Sequence, residues 1–365
     1  MIVGDILEID QQAIDEVRVI GRVISGKTFS GKEQKLDIPE IYSVQNPSIK
    51  KAKKCLLESM QDLDDIALLL SGGKDSRMLG VLLKELGKDV TCYTYIGRHN
   101  KYEENELKVS KIVAKKLGFR HSVIDIDWES KEDNGFYDRK MIPEIVKKTD
   151  GSPIFQTVLT MSYARPKIQE KILITGDLVT ELLDTGEYRP WYHGKDIKRF
   201  LFDCEKCIID TVDDLESYNR LSDMYESTDV NNLLIVRKSD RINRKSVYKD
   251  LGWNVFFPAL DVDVLSNVFS LPYKFRTDGN LPRMIVKMTN KELYKTRTTR
   301  SPFSLKYPLS FHIAYGRVFK TGVNNTPIIG SFNDDIRIIE NKHKRERLDN
   351  LQWWKFANGV KDEKN

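Results

Sequence analysis

The sequence predicts an α/β protein with a doubly wound parallel sheet, a mostly helical C-terminal part and a small β-rich N-terminal appendage. Two observations lead to this fold class. Between about residues 49 and 190, continuous apolar runs that suit strands buried on both faces alternate with amphipathic helices. Two of these runs end directly in glycine turns, which would place both turns at the carboxyl edge of the sheet, where open parallel sheets bind ligands.

The predicted elements alternate along this region, as right-handed crossovers between parallel strands require. Two of the helices are followed by glycines, Gly87 and Gly118, which are typical helix-terminating residues. In chain order the sequence predicts helix 49–60, strand 66–70, helix 76–86, strand 90–96, helix 103–117, strand 121–126 and strand 172–175.

The rest of the chain divides into two further parts. Short β-like stretches at 2–3 and 17–24 predict the N-terminal appendage. After about residue 190 the pattern becomes helical, at 197–212, 215–224 and 231–249. We therefore expect an appendage at 1–48, an α/β domain at 49–190, and a C-terminal part at 191–365 that folds over the carboxyl edge of the sheet.

Composition argues against several classes of protein. No apolar run approaches the roughly 20 residues of a membrane-spanning helix, and the start of the chain lacks the pattern of a secretory signal, so we expect a cytoplasmic protein. Four scattered cysteines do not suggest a disulfide framework, and Cys204 and Cys207 lack the further ligands of a zinc site. The net charge of +5 is a mild excess that we expect to be dispersed over the chain. We interpret the basic run at 342–347 as a solvated helix face. Nucleic acid is therefore a disfavoured partner.

The segment with the strongest chemical signal is Ser71-Gly72-Gly73-Lys74-Asp75-Ser76, which follows Leu70 at the end of a buried strand and opens a helix. Glycines at such a place let backbone N–H groups face an anion, and the positive end of the helix adds to the attraction. Lys74 is suited to neutralising phosphate charge, Asp75 to holding Mg²⁺, and the two serines to donating hydroxyl hydrogen bonds. Neither the Walker-type spacing nor the dinucleotide fingerprint is present.

This turn resembles the pyrophosphate-binding loop of the ATP pyrophosphatase superfamily. The resemblance implies an adenine nucleotide alpha hydrolase-like fold that uses ATP and Mg²⁺. It also implies that residues 71–76 hold the β- and γ-phosphates while ATP is cleaved between the α- and β-phosphates. A substrate oxygen would thereby be adenylylated and pyrophosphate released.

Within that superfamily, the stretch from about 49 to 310 resembles the synthetase domain of asparagine synthetase and β-lactam synthetase. Three blocks beyond the loop carry this resemblance, in the family's order and spacing. They are Thr94–Gly97, the Gly-Asp turn at 174–182, and a third block that runs from Asp240 through 257–261 to 270–272.

The resemblance also implies which residues form the site. Adenine would lie near Ile96 and Gly176, with Leu70 and Thr175 beside the nucleotide. The family's second metal-binding Asp falls on Thr180, so Mg²⁺ would rely on Asp75 and Asp177.

The late part of the resemblance contains a second departure. The family's catalytic Lys falls within 297–300, where no Lys stands, and Arg300 is the candidate replacement. Lys74 and Arg300 would stabilise phosphate charge, and Asp177 or Glu181 would serve in metal binding or proton transfer. These departures affect the acceptor chemistry more than ATP binding.

From the resemblance we expect a ligase in which a small-molecule carboxylate attacks the α-phosphate and an amine or ammonia then displaces AMP to form an amide. Ile2 stands where a glutaminase domain would carry its Cys, so nitrogen would come from ammonia, a substrate amine, or a separate glutaminase or carrier partner. Two alternatives remain open: an RNA-modifying enzyme that adenylylates a base, and a catalytically degenerate nucleotide-binding protein. The acceptor, the amine and the oligomeric state are not predicted.

Overall fold

A computed structural model gives the arrangement of the central part of the chain. The residues that it describes are 10, 12–13, 28–33, 39–97, 101–126, 130–132, 135–137, 155–183, 215–227, 244–299, 302–308 and 311. Several predicted features lie outside them, namely the strands at 2–3 and 17–24, the helix at 197–212, Cys204, Cys207, Arg300 and the basic run at 342–347. The side chains of Thr180 and Glu181 also lie outside the described part.

Seven strands are assigned in the described residues. In chain order they are β1 (Ile66–Leu69), β2 (Val90–Ile96), β3 (Arg120–Asp125), β4 (Ser130–Glu132), β5 (Gly135–Tyr137), β6 (Ile172–Ile174) and β7 (Val255–Phe256). β4 and β5 form a separate antiparallel pair. The other five form one parallel sheet in the order β3-β2-β1-β6-β7.

The order of the strands determines where a ligand site is expected. The chain runs outward from β1 through β2 to β3, and then crosses to the other side of β1 to form β6. The loop after β1 therefore lies at the point where the strand order reverses, which is where doubly wound sheets bind ligands. This parallel sheet with its flanking helices confirms the predicted fold class.

Nine α-helices are assigned in the described residues. They are α1 (Ile49–Ser59), α2 (Lys74–Glu85), α3 (Lys101–Leu117), α4 (Phe155–Ala164), α5 (Leu215–Ser227), α6 (Arg244–Asp250), α7 (Val262–Phe269), α8 (Asn280–Thr289) and α9 (Lys291–Lys295). Helices α1, α2, α3 and α5 lie close to predicted helices, α6 overlaps the end of the predicted helix 231–249, and α4, α7, α8 and α9 were not predicted. Gly87 and Gly118 adopt φ angles of 69° and 71° just after α2 and α3, as the sequence predicted for helix-terminating glycines. Among the described residues, no helix is long and apolar enough to cross a membrane.

Two contacts tie the later part of the chain to the sheet. β7 pairs with β6, so the fifth strand is supplied by residues beyond the predicted boundary at 190. Helix α8 packs against α2, the helix that begins at the predicted phosphate loop. α2 is accordingly buried along most of its length, which an amphipathic pattern alone did not predict.

Candidate ATP site

The loop between β1 and α2 is organised by its two serines. Ser76 Oγ accepts a hydrogen bond from the Ser71 backbone N–H at 3.1 Å and lies 3.0 Å from Ser71 Oγ. Ser71 Oγ in turn accepts from the Gly73 N–H at 3.2 Å. These bonds close the turn, so that α2 begins at Lys74 with its N-terminus directed at the carboxyl edge of the sheet.

The two glycines of this loop differ in how much space surrounds them. Neither has a positive φ, so the left-handed conformation is not what requires them. A Cβ added to Gly72 would lie 1.9 Å from Thr299 Oγ1 and 2.8 Å from Val109 Cβ, whereas a Cβ added to Gly73 would meet only Ser71 Oγ, at 3.1 Å. Gly72 is therefore needed for close packing, a requirement that sequence reasoning, which invoked backbone freedom, did not identify.

The charged pair of the loop lies at the start of α2. Lys74 Nζ donates to Asp75 Oδ1 at 2.8 Å, and the side chains are 10% and 24% exposed, respectively. A partly buried ammonium beside the positive end of a helix attracts anions, and an adjacent carboxylate attracts a divalent cation. The arrangement suits a phosphate with its Mg²⁺.

The predicted Gly-Asp turn packs directly against this loop. A Cβ added to Gly176 would lie 3.2 Å from the Ser76 backbone nitrogen and 3.4 Å from Asp75 Cβ. The neighbouring Thr175 is buried, and its Oγ1 accepts from the Asp177 N–H at 3.1 Å. The structure therefore brings the two predicted metal-binding residues, Asp75 and Asp177, onto adjoining turns.

Asp177 has a partner that sequence reasoning did not identify. Tyr248, buried on α6, donates its hydroxyl to Asp177 Oδ2 at 3.3 Å, and its ring stacks on Phe257 with a centroid distance of 6.1 Å. The two residues are 71 positions apart, so no local sequence pattern links them. Tyr248 restricts the orientation of the carboxylate.

The residues available for Mg²⁺ fit that ion. The described residues contain no group of three or more His, Cys, Asp or Glu that would form a protein-only metal site. Mg²⁺ does not require one, because it is commonly held by one or two carboxylates together with substrate phosphates and water. Asp75 and Asp177, on adjoining turns beside the positive end of α2, form such a set.

A buried arginine connects the loop to the C-terminal part. Arg77 is fully buried, and its guanidinium donates to the carbonyl oxygens of Gly72, Leu293, Thr296 and Arg297 at 2.8–3.0 Å. Burial lowers its pKa to about 10, which leaves it charged at neutral pH. Sequence reasoning did not single out Arg77, because an arginine on an amphipathic helix is ordinarily solvent-exposed.

The same clamp places residues 297–299 against the phosphate loop. Thr299 is 2% exposed, its Oγ1 has no hydrogen-bond partner among the described residues, and its carbonyl oxygen accepts from Asn105 Nδ2 at 2.5 Å. Because Thr299 Oγ1 also lies against Gly72, the chain reaches Arg300 from a position beside the loop. Arg300 itself lies outside the described residues, and its role stays a prediction.

The strand ends beside the loop are held by a polar network. The Thr94 hydroxyl lies 2.6 Å from the Leu70 carbonyl oxygen and 3.0 Å from His121 Nε2. A hydroxyl has one proton and the carbonyl oxygen can only accept, so Thr94 donates to Leu70 and His121 donates from Nε2 to Thr94. Burial lowers the pKa of His121, with a further lowering from Lys111. The predicted adenine-contacting residue, Ile96, is half-buried at the end of β2.

Residues 65–158 match the protein family described as "Queuosine biosynthesis protein QueC". The matched stretch includes β1, the phosphate loop, α2, β2, α3 and β3. No curated protein matches the sequence.

Three solved structures resemble the chain weakly. The U34-tRNA thiolase NcsA from Methanococcus maripaludis, with its [4Fe-4S] cluster, is 12% identical, covers 86% of this chain and 80% of its own, and has a TM-score of 0.36. NMN synthetase from Francisella tularensis is 17% identical, with 54% and 94% covered and a TM-score of 0.27. A predicted subunit of tRNA methyltransferase from Methanocaldococcus jannaschii is 17% identical, with 54% and 91% covered and a TM-score of 0.21. These TM-scores are too low to bear on function.

The family match covers the loop together with the strands and helices that hold it. The structure places that loop at the switch point of a parallel sheet, with the predicted Gly-Asp turn packed against it. Similarity to asparagine synthetase itself is not shown and stays a prediction. Residues 65–158 therefore resemble the pyrophosphate-loop ATP pyrophosphatase superfamily.

Proposed function

We propose that this protein is an AMP-forming enzyme that adenylylates a carbonyl oxygen of a nucleobase, the RNA-modifying alternative of the sequence analysis. The observation that carries the proposal is the match of residues 65–158 to a family named for the biosynthesis of queuosine, a modified nucleoside. The site supports it through a phosphate loop and adjoining carboxylates, which can act on ATP whatever the acceptor.

In the proposed reaction the base carbonyl oxygen attacks the α-phosphorus of ATP. The bond from that phosphorus to the α,β-bridging oxygen breaks, and pyrophosphate leaves with the electron pair. The acceptor loses its ring N–H proton to solvent or a carboxylate, which gives an O-adenylylated base. A nucleophile then attacks the activated carbon and displaces AMP.

The residues of the site would contribute mainly through positioning and electrostatics, as in phosphoryl transfer generally. Backbone N–H groups at 72–76 and Lys74 would bind the leaving pyrophosphate. Asp75 and Asp177 would hold Mg²⁺, which would neutralise phosphate charge, and Tyr248 would orient Asp177. Adenine would lie beside Ile96 and Gly176, and Arg300 would supply charge from the segment next to the loop.

The amide-forming ligase is a second candidate, supported by one specific observation. The two blocks that resemble the synthetase domain, at 174–182 and 257–261, are brought together, because β7 pairs with β6 directly before the second block. The acceptor would then be a carboxylate and the nucleophile ammonia or an amine.

The products of ATP distinguish these candidates from unrelated ATPases. Incubation with α-labelled ATP should yield AMP and pyrophosphate, and ADP as the nucleotide product would overturn both candidates. The acceptor separates the two candidates. A single-stranded RNA or a free nucleoside should gain about 329 Da, the mass of one adenylyl group, only if the first candidate is right. Formation of a hydroxamate from a carboxylate, when hydroxylamine is supplied as the nucleophile, would support the second candidate.

Asp75→Ala tests the metal assignment. Loss of a Mg²⁺ ligand should lower pyrophosphate release by at least about 10²-fold, since such electrostatic contacts act mainly in the transition state. The matched control is Asp64→Ala, whose carboxylate is 90% exposed and lies 3.5 Å from Lys88. Equal rates for the two variants would remove Asp75 from the site, provided that both unfold at the temperature of the parent protein.

A further inference from the structure

One segment near the candidate ATP site carries a local excess of positive charge, within a chain whose charge is otherwise spread over several basic and acidic stretches. Residues 283–308 contain seven basic residues and one acidic residue, a net charge of +6, whereas the whole chain carries +5. The remaining residues therefore sum to −1. The seven are Arg283, Lys287, Lys291, Lys295, Arg297, Arg300 and Lys306.

Most of these groups are accessible. Lys287, Lys291, Lys295 and Lys306 are exposed, and of these Lys295 pairs with the single acid, Glu292, at 3.4 Å. This one ion pair leaves the segment with a net positive charge. The charge of these four lysines faces solvent, where it attracts a polyanion.

Helix α8 adjoins the paired segments 297–299 and 302–308, which we call the hairpin. Arg283 donates from Nε to the Leu305 carbonyl oxygen at 2.6 Å and from Nη2 to that of Lys306 at 2.7 Å. Lys287 lies one helical turn from Arg283 and 5.9 Å from the ring centroid of Tyr294 on α9. The exposed lysines of α8 and of the hairpin are thus on adjoining elements.

The hairpin also carries an exposed aromatic cluster. Phe303, Tyr307 and Phe311 have ring centroids 4.7–5.2 Å apart. Tyr307 and Phe311 are 41% and 38% exposed. Large apolar rings are ordinarily buried, and exposed rings among cations provide faces on which unpaired bases stack.

This surface adjoins the ATP site. The Thr298 N–H donates to the Phe303 carbonyl oxygen at 3.0 Å, and Arg297 bridges Ser304 in antiparallel fashion. Thr299, one residue further, packs against Gly72 of the phosphate loop. A strand bound along the hairpin would therefore end beside the nucleotide.

We propose that residues 283–299, 302–308 and 311 form a docking surface for single-stranded RNA, with the exposed lysines at its phosphates and the cluster Phe303, Tyr307 and Phe311 under its bases. The proposal rests on the proposed function, since it supplies the polymer that carries the base to be adenylylated. The exposed lysines beside stacking rings favour RNA over an acidic protein, which would make no use of exposed ring faces. They also favour it over duplexes, whose base faces are covered.

Binding is measured by fluorescence anisotropy with an end-labelled, unstructured RNA of about 15 nucleotides, without ATP, over a range of salt concentrations. Lys287→Ala and Lys306→Ala should each weaken binding and reduce the slope of log K against log salt by about 0.7, the value for one lost phosphate contact on a single strand. The control is Lys54→Ala on α1, whose side chain is 73% exposed.

Tyr307→Ala should weaken binding by about 5- to 150-fold and leave the salt slope unchanged, because a stacking contact releases no counterions. Tyr307→Leu keeps an apolar side chain in the cluster, so it controls for misfolding. It should bind RNA as weakly as Tyr307→Ala does. Tyr42→Ala, at a tyrosine that is 51% exposed on another part of the molecule, is the control and should bind like the parent protein.

The outcomes separate this proposal from the proposed function. RNA binding that depends on Lys306 and Tyr307 without any AMP formation supports the docking surface and counts against adenylylation. Adenylylation of a free nucleoside by a protein that binds no RNA overturns the docking surface alone. Three other results would also overturn it. They are equal effects of the test and control substitutions, tighter binding of a duplex than of a single strand, and binding of anionic phosphatidylserine vesicles but not of RNA.

Discussion

At the scale of single residues, two neighbouring glycines in the phosphate loop differ in what they tolerate. Gly72→Ala should severely impair ATP turnover and stability, because the added Cβ would overlap Thr299 Oγ1 and crowd Val109, and backbone would have to move. Gly73→Ala should fold normally, since its φ of −76° suits any residue and its Cβ would meet only a hydroxyl.

Thermal unfolding and pyrophosphate release of the two variants check this difference. Thr299→Ala added to Gly72→Ala should recover only part of the stability, because the 2.8 Å contacts with Val109 remain. If Gly73→Ala were the less stable of the two single variants, the steric account of Gly72 would be wrong.

Arg300 is the second residue whose role can be isolated. If it supplies positive charge to the adenylylation transition state, Arg300→Ala should lower turnover by about 10²- to 10³-fold with little change in ATP affinity. Arg300→Lys should recover part of the rate, since a point charge replaces a planar fork imperfectly. Single-turnover kinetics and ATP binding measure the two quantities separately, and near-normal turnover of Arg300→Ala would rule out this role for Arg300.

At the scale of elements, Arg77 fixes the 293–297 segment to the helix of the phosphate loop. Arg77→Lys keeps the charge but cannot reach four carbonyl oxygens, so the free energy of unfolding should fall by about 3 kcal/mol. ATP affinity should fall as well, because the Gly72 carbonyl oxygen loses its donor. Chemical denaturation and ATP titration are the measurements.

Arg165→Lys is the matched control for Arg77. Arg165 also donates to backbone carbonyl oxygens, those of Gly252 and Ile168, but from a more exposed position. Its replacement should lower stability by less than about 1 kcal/mol and leave ATP affinity unchanged. Similar losses for both variants would show that Arg77 has no special connection to the ATP site.

Elements with local signals were predictable, and those fixed by distant partners were not. β1, α2 and the loop were predicted because an apolar run, a glycine turn and a helical pattern are each local. The burial of Arg77 depends on partners that lie 216 or more positions later in the chain. The contact between Tyr248 and Asp177 joins residues 71 positions apart. β7 has only two residues, Val255 and Phe256, which is too short for a periodic pattern.

At the scale of the whole molecule, stability should depend on pH through His121. The pKa of this residue is lowered in the folded protein, chiefly by burial. The unfolded chain therefore takes up a proton near pH 6.5 that the folded protein resists, and stability falls as the pH drops below about 6.5. Above that pH the imidazole is neutral in both states and has no such effect.

Denaturation at about pH 7.5 and about pH 5.5 tests this dependence. His121→Gln keeps a donor for Thr94 and does not titrate, so its loss of stability between the two pH values should be smaller than that of the parent protein. An equal loss in both proteins would assign the pH dependence to other groups.

The clamp at Arg77 has a consequence during protein synthesis. Three of its four carbonyl partners follow it by 216 to 220 residues. At about 5–20 residues per second, a ribosome needs on the order of 10–45 s to supply them after Arg77 has been made. Throughout that interval a guanidinium destined for the interior has only Gly72 as a native partner, so the nascent chain cannot complete its nucleotide site ahead of its last third. Translation arrest before residue 293 would leave a product that neither binds ATP nor resists proteolysis.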